Sequence, residues 1–302
     1  IGANSASGGD AASDVISGFA HLIGSNTAAD SLTGNAGANT IIGGGGVDTI
    51  RGGDGGDTLY GGGQGDWLSY ASGAIGVTVD LGANSASGGH AQGDVITGFT
   101  HLIGSDGGDL LTGTTGVNTI FGGLGNDTIE GGAGADSLAG GGDAGDFVSY
   151  INSASGVTLN LATNAVSGGD GASDSISGFL NAIGSGSADS ISGTGGVNTI
   201  FGRGGNDTIE GGAGGDSLDG GAGTGDFLSY ANSASGVNVT LSGNLVANGD
   251  ASGDTIINFE NLIGSGAADG LTGDHSSNTH HGGAGAAPVD GLGGLENRVG
   301  SG

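Results

Sequence analysis

Residues 122–139 read GGLGNDTIE followed by GGAGADSLA, two tandem nonapeptides of the form G-G-x-G-x-D-x-(Ile/Leu)-x. The glycines permit positive φ and close approach of neighbouring backbones. Asp127 and Asp136 each place a carboxylate at the end of a glycine turn. Ile129 and Leu138 follow as single hydrophobes, pointing inward from strands so short that the flanking residues face out. One inward side chain in nine residues cannot build a globular core. Such a chain buries hydrophobic surface only by stacking copies of the same turn and strand.

The stacking unit recurs at a fixed distance. Tyr70, Tyr150 and Tyr230 lie 80 residues apart, as do the Ile-Gly-Ser triplets that begin at Ile23, Ile103, Ile183 and Ile263. In each of the first three units five turns follow one another and a spacer then returns to the next block. In the second unit the turns end at Asp109, Asn118, Asp127, Asp136 and Asp146. A spacer follows from residue 151, with Ala154-Ser155-Gly156 as a turn and Val157–Leu161 as an alternating strand.

The pattern resembles the calcium-binding nonapeptide of RTX (repeats-in-toxin) proteins. The resemblance covers almost all of residues 1–280 and implies an all-β, right-handed parallel β-roll or β-helix solenoid. In that family each nonapeptide forms half a coil. Calcium sits between turns of successive coils, held by turn carbonyls and the sixth-position aspartates. The expected organisation is four units of about 80 residues: 1–80, 81–160, 161–240 and a partial 241–281. Residues 282–302 form an irregular C-terminal end, where Ala287 replaces the acid and Pro288, unable to donate to a ladder, suits the place where stacking stops. All of it is expected to form one continuous solenoid.

The resemblance makes the turn-ending residues the metal ligands: Asp30, Asn39, Asp48, Asp57 and Asp66; Asp109, Asn118, Asp127, Asp136 and Asp146; Asp189, Asn198, Asp207, Asp216 and Asp226; and Asp269. At Asn39, Asn118 and Asn198 an uncharged amide oxygen could ligate, and an asparagine ladder is the structural alternative. Asp14, Asp94, Asp174 and Asp254 close the spacers and are weaker candidates. The Phe19, Phe99, Phe179 and Phe259 series is expected to fill core, and Trp67, Phe147 and Phe227 occupy outward strand positions. His21 and His101 are matched by Asn181 and Asn261, so their role is not expected to repeat. No serine stands beside a histidine with an orienting acid, and the chain is read as a non-enzyme.

Composition narrows the partners. With 78 glycines in 302 residues, three arginines, no lysine and 31 acids, the formal charge is −28. Composition alone suggests disorder, whereas the periodic Ile, Leu and Val suggest a fold; a cation that binds only the folded state reconciles the two. Nucleic acid and anionic membranes would be repelled, and no apolar run approaches the length of a membrane span. The chain starts in mid-repeat without methionine, so it is read as mature protein or a segment of something longer.

The sequence thus points to an extracellular or bacterial cell-surface structural protein: a calcium-binding rod, filament, surface-layer or adhesin-stalk segment. The resemblance implies export by type I secretion and folding on calcium outside the cell. Copies of itself, end to end, are the other partner expected. The alternative is an accessory module of a secreted enzyme or toxin whose active domain lies outside this chain. Ice binding would need a flat array of Thr and Asn at turn position three, where Gly45, Leu124 and Gly204 stand instead.

Overall fold

The structure, a computed structural model, describes residues 5–7, 18–283, 289–290 and 297–299. Asp14, Ala287 and Pro288 lie outside the described residues. Within that range the chain is all-β: three-residue strands recur through it, and helix is confined to single 3₁₀ turns. The fold is a parallel β-roll. No helix among the described residues is long and apolar enough to cross a membrane. Two compact units are formed, Ile1–Val148 with Asp174–Phe179, and Ser149–Ser173 with Leu180–Gly302.

In the first unit, alternate strands join different sheets, so that strands 18 residues apart pair in parallel. Leu32 thereby sits opposite Ile50, and Ile50 opposite Leu68. The ladder continues through Leu102, Ile120 and Leu138 to Ile176. On the other sheet Leu111, Ile129 and Val148 form the same kind of row. Every one of these middle residues is buried. Flanking Thr49, Thr119 and Thr128 are half-buried, as the period of two requires. The second unit repeats the scheme, with Ile191, Ile209 and Leu228 in one row and Ile200 and Leu218 in another.

The spacers depart from the all-parallel expectation. Each carries an antiparallel hairpin: Thr78–Asp80 with Ser85–Ser87, Thr158–Asn160 with Ala165–Ser167, and Asn238–Thr240 with Leu245–Ala247. The first strand of each also pairs in parallel with the coil that follows, which fastens the hairpin to the stack; in the first hairpin Ser85 of the second strand also pairs with Val95. Asn84, Asn164 and Asn244 close the three hairpins with φ of 53°, 54° and 50°. Asparagine tolerates that left-handed conformation better than most residues.

The aromatic series divides by position. Phe99, Phe179 and Phe259 are buried as expected, whereas Phe19, near the first described coil, is 56% exposed. Trp67 is half-buried, its ring stacked on Phe121 at 5.7 Å between centroids.

Because each inward residue is backed by one neighbour on each side, its loss should be felt strongly. Ile129→Ala should lower stability in saturating calcium by about 2–5 kcal/mol. Thr128→Ala, on the outward position beside it, should cost under about 0.5 kcal/mol. Urea denaturation followed by circular dichroism measures both, and equal effects would contradict the inward–outward assignment.

Candidate metal centre

The acid of each turn uses its two oxygens differently. One accepts a backbone N–H from the corresponding residue a coil earlier: Asp48 N–H donates to Asp66 Oδ1 at 2.8 Å, Asp109 N–H to Asp127 Oδ1 at 2.9 Å, and Asp189 N–H to Asp207 Oδ1 at 2.8 Å. Asn39 N–H donates to Asp57, Asn118 N–H to Asp136, Asp127 N–H to Asp146, Asn198 N–H to Asp216, and Asp207 N–H to Asp226. Coil-to-coil pairing puts these N–H groups in line, so carboxylate and amide form a ladder beside the sheet.

The other oxygen tells more. Oδ2 of Asp48, Asp57, Asp66, Asp127, Asp207, Asp216, Asp226 and Asp269 is buried and accepts no hydrogen bond. Burying an ionised carboxylate oxygen without a partner is costly enough that a cation or proton is required there. A first glycine faces each of these oxygens except that of Asp226. Asp48 Oδ2 and the Gly61 carbonyl converge on the point where a Cβ on Gly43 would stand. Asp127 Oδ2 with the Gly140 carbonyl, and Asp207 Oδ2 with the Gly220 carbonyl, do so at Gly122 and Gly202. Only glycine leaves that space to oxygen atoms. Further carbonyls line the seam between turns: Ser105 O faces Gly123, and Thr114 O faces Gly132. The donor set is carboxylate and carbonyl oxygen only, which suits a hard cation such as calcium.

Burial also raises the proton affinity of several turn acids. Asp127 and Asp207 are pushed up to about 7, with the charges of Asp109 and Asp146, and of Asp189 and Asp226, adding to the effect. Asp216 rises to about 6, again from burial first, then from Asp254 and Asp250. Asp48, Asp57, Asp146 and Asp226 move the same way, with burial the leading cause.

The sixteen residues picked from sequence are not alike in the fold. Asn39, Asn118 and Asn198 are hydrogen-bonded within their own turns. Asn118 Oδ1 accepts from Thr114 N–H at 2.7 Å, and its Nδ2 donates to Thr100 O at 2.7 Å. Asn198 repeats this with Thr194 and Leu180 O, and Asn39 Oδ1 accepts from Asn35 N–H. Asp109 and Asp189, first after their spacers, accept at both oxygens. The second oxygens take Ser105 N–H and Ser185 N–H, and the first take Val77 N–H and Val157 N–H. Asp30 Oδ2 likewise accepts from Ser25 N–H. Asp136 and Asp146 are buried in the same ladder.

Sequence reasoning missed three arrangements. His101 does have a repeated role: its Nδ1 accepts Thr119 N–H at 3.0 Å, as Asn181 Oδ1 accepts Thr199 N–H and Asn261 Oδ1 accepts Thr279 N–H at 2.7 Å. Imidazole and amide are interchangeable as acceptors there. Burial lowers the His101 pKa, which keeps the ring neutral for that task. Glu210 accepts from Ser229 Oγ and from both nitrogens of Asn232, clamping the next spacer. Tyr70 and Tyr230 donate to Asp94 and Asp254. The 80-residue register of these residues was the available signal. No group of three or more His, Cys, Asp or Glu side chains converges among the described residues, so each candidate centre combines few carboxylates with carbonyls.

Comparison with known families agrees with this geometry. The model of the RTX calcium-binding nonapeptide repeat (four copies) matches residues 25–59, 42–74, 103–138, 112–146, 183–218 and 192–226. These windows hold the turns with partnerless Oδ2 atoms, apart from that of Asp269, and omit most of the spacers. No curated protein matches the chain. Between residues 25 and 226 the chain therefore carries RTX calcium-binding nonapeptide repeats in three blocks.

Proposed function

We propose that the chain is the repeat segment of an extracellular or cell-surface structural protein, a rod or filament section that orders itself when several calcium ions bind. The observation that carries this reading is the row of buried aspartate oxygens with no hydrogen-bond partner, repeated block after block. A chain of formal charge −28 that aligns its acids at coil spacing repels itself without metal. Calcium between turns turns that repulsion into attraction. Because the ion binds stacked coils and not the unfolded chain, binding drives folding. Extracellular modules of this kind bind calcium at roughly 10⁻⁴–10⁻³ M. That range leaves the chain unfolded in a low-calcium cytosol, fit for type I export, and folded outside. Asp48, Asp57, Asp66, Asp127, Asp136, Asp146, Asp207, Asp216, Asp226 and Asp269 are the proposed carboxylate ligands, and Asp30, Asp109 and Asp189, whose second oxygens also accept a serine N–H, are proposed as weaker ones. The amides of Asn39, Asn118 and Asn198 stand beside them as the weaker donors.

Chelation by EDTA should reduce the far-ultraviolet circular dichroism to that of a coil, and millimolar calcium should restore the β signal. Magnesium, which demands tighter octahedral geometry, should not. A β spectrum indifferent to chelator would end the proposal.

Ligand loss should act locally, since the stability of stacked repeats is close to a sum of neighbour terms. Asp127→Ala should remove or weaken the ions contacted by its turn and leave amide-exchange protection around Ile209 intact. Loss of protection throughout the chain would contradict it.

The pH dependence has a defined sign. Asp127 and Asp207 lie near 3.8 when unfolded and about 7 when folded without metal. Protonation therefore favours the folded state: the stability contributed is full below about pH 4 and is lost as pH rises through about 7. Metal-free protein should gain β signal on acidification from pH 7.5 to 4.5. In the presence of calcium the opposite trend appears, because protons compete for the same oxygens and the calcium midpoint rises as pH falls. Midpoints that do not change with pH would argue against buried carboxylate ligands.

A further inference from the structure

Asp94 and Asp254 stand in the same ladder as the calcium-turn acids but lack a free oxygen. Their Oδ1 atoms accept Asp57 N–H at 2.8 Å and Asp216 N–H at 2.9 Å, as in any interior coil. Their Oδ2 atoms, however, accept the phenolic protons of Tyr70 at 3.0 Å and Tyr230 at 2.8 Å. All four side chains are buried. The turns that lead to these acids also differ, being 3₁₀ segments, Gly89–Ala91 and Gly249–Ala251. The carbonyl of the next coil is correspondingly displaced. Around the point where a Cβ on Gly52 or Gly211 would stand, the nearest atoms all belong to Asp57 or Asp216, whereas at Gly43 the Gly61 carbonyl intrudes.

The opposite end of each row is closed as well. Asn39 and Asn198 accept turn N–H groups at Oδ1 and donate through Nδ2. Between amide and phenol, each row leaves one acid, Asp57 or Asp216, with an unpartnered oxygen. We propose that Tyr70 and Tyr230 end the calcium rows of Asp57 and Asp216: each hydroxyl occupies the carboxylate oxygen that an ion takes at interior coils. Asp94 and Asp254 are then hydrogen-bond acceptors and not ligands, and calcium binds in bounded packets separated by metal-independent hairpin spacers. This rests on the calcium reading above and specifies which ladder acids take part.

The test is a count of bound calcium by equilibrium dialysis on the full chain. D94N/D254N preserves an acceptor for the amide N–H and a group able to bond the tyrosine hydroxyl. It should bind the same number of ions as the unaltered chain, with a midpoint within about twofold. D57N/D216N should lose at least one ion from each row. Circular dichroism in saturating calcium checks that both fold. If the double variant fails to do so, the single variants D94N and D254N, each leaving one lock intact, are counted instead. Loss of ions from D94N/D254N comparable to that from D57N/D216N overturns the inference while leaving the calcium reading standing. Absence of calcium uptake by the unaltered chain overturns both.

Discussion

A carboxylate that is half satisfied holds this structure together and also leaves it incomplete. One oxygen of each turn acid accepts a backbone N–H from the coil before it; the other, at eight of the described aspartates, is buried with no hydrogen-bond partner. The first bond follows from parallel stacking, because coils in register present their amides at the same point. The second oxygen then faces the glycine seam, away from water. A neutralising cation or proton is therefore a requirement of the stack. The same burial raises the proton affinity of Asp127 and Asp207 to about 7, so protons and metal compete for one set of atoms.

Glycine is the other half of that constraint. At Gly43, Gly122 and Gly202 a side chain would occupy the place where an acid oxygen and a carbonyl of the next coil meet. A chain with 78 glycines loses much conformational entropy on folding. The single inward hydrophobes of Leu32, Ile50 and Leu68, or Ile120 and Leu138, return only a narrow core. In the function proposed above, metal binding supplies the remainder.

The spacers work by different means. Their hairpins turn on left-handed asparagines, and their ends are tied by Tyr70 to Asp94, Tyr230 to Asp254 and Glu210 to Asn232. These are ordinary hydrogen bonds and need no ion. The chain thus alternates ladders of turn acids with spacers closed by their own hydrogen bonds.

The nonapeptide and its 80-residue recurrence by themselves determined the stacking of short strands, the inward position of Ile129 and its equivalents, and the acids that line the turns; that the strands run parallel came from the resemblance to RTX repeats. Those features depend on local period, which sequence carries directly. Only the tertiary structure separated Asp57, with a bare oxygen, from Asp94, whose oxygen is taken by a tyrosine 24 residues away. It alone showed that His101 and Asn261 do the same work, and that Asn118 is bound within its own turn. Whether a polar atom is free or satisfied depends on which distant group the fold brings against it. Spacing along the chain does not contain that information.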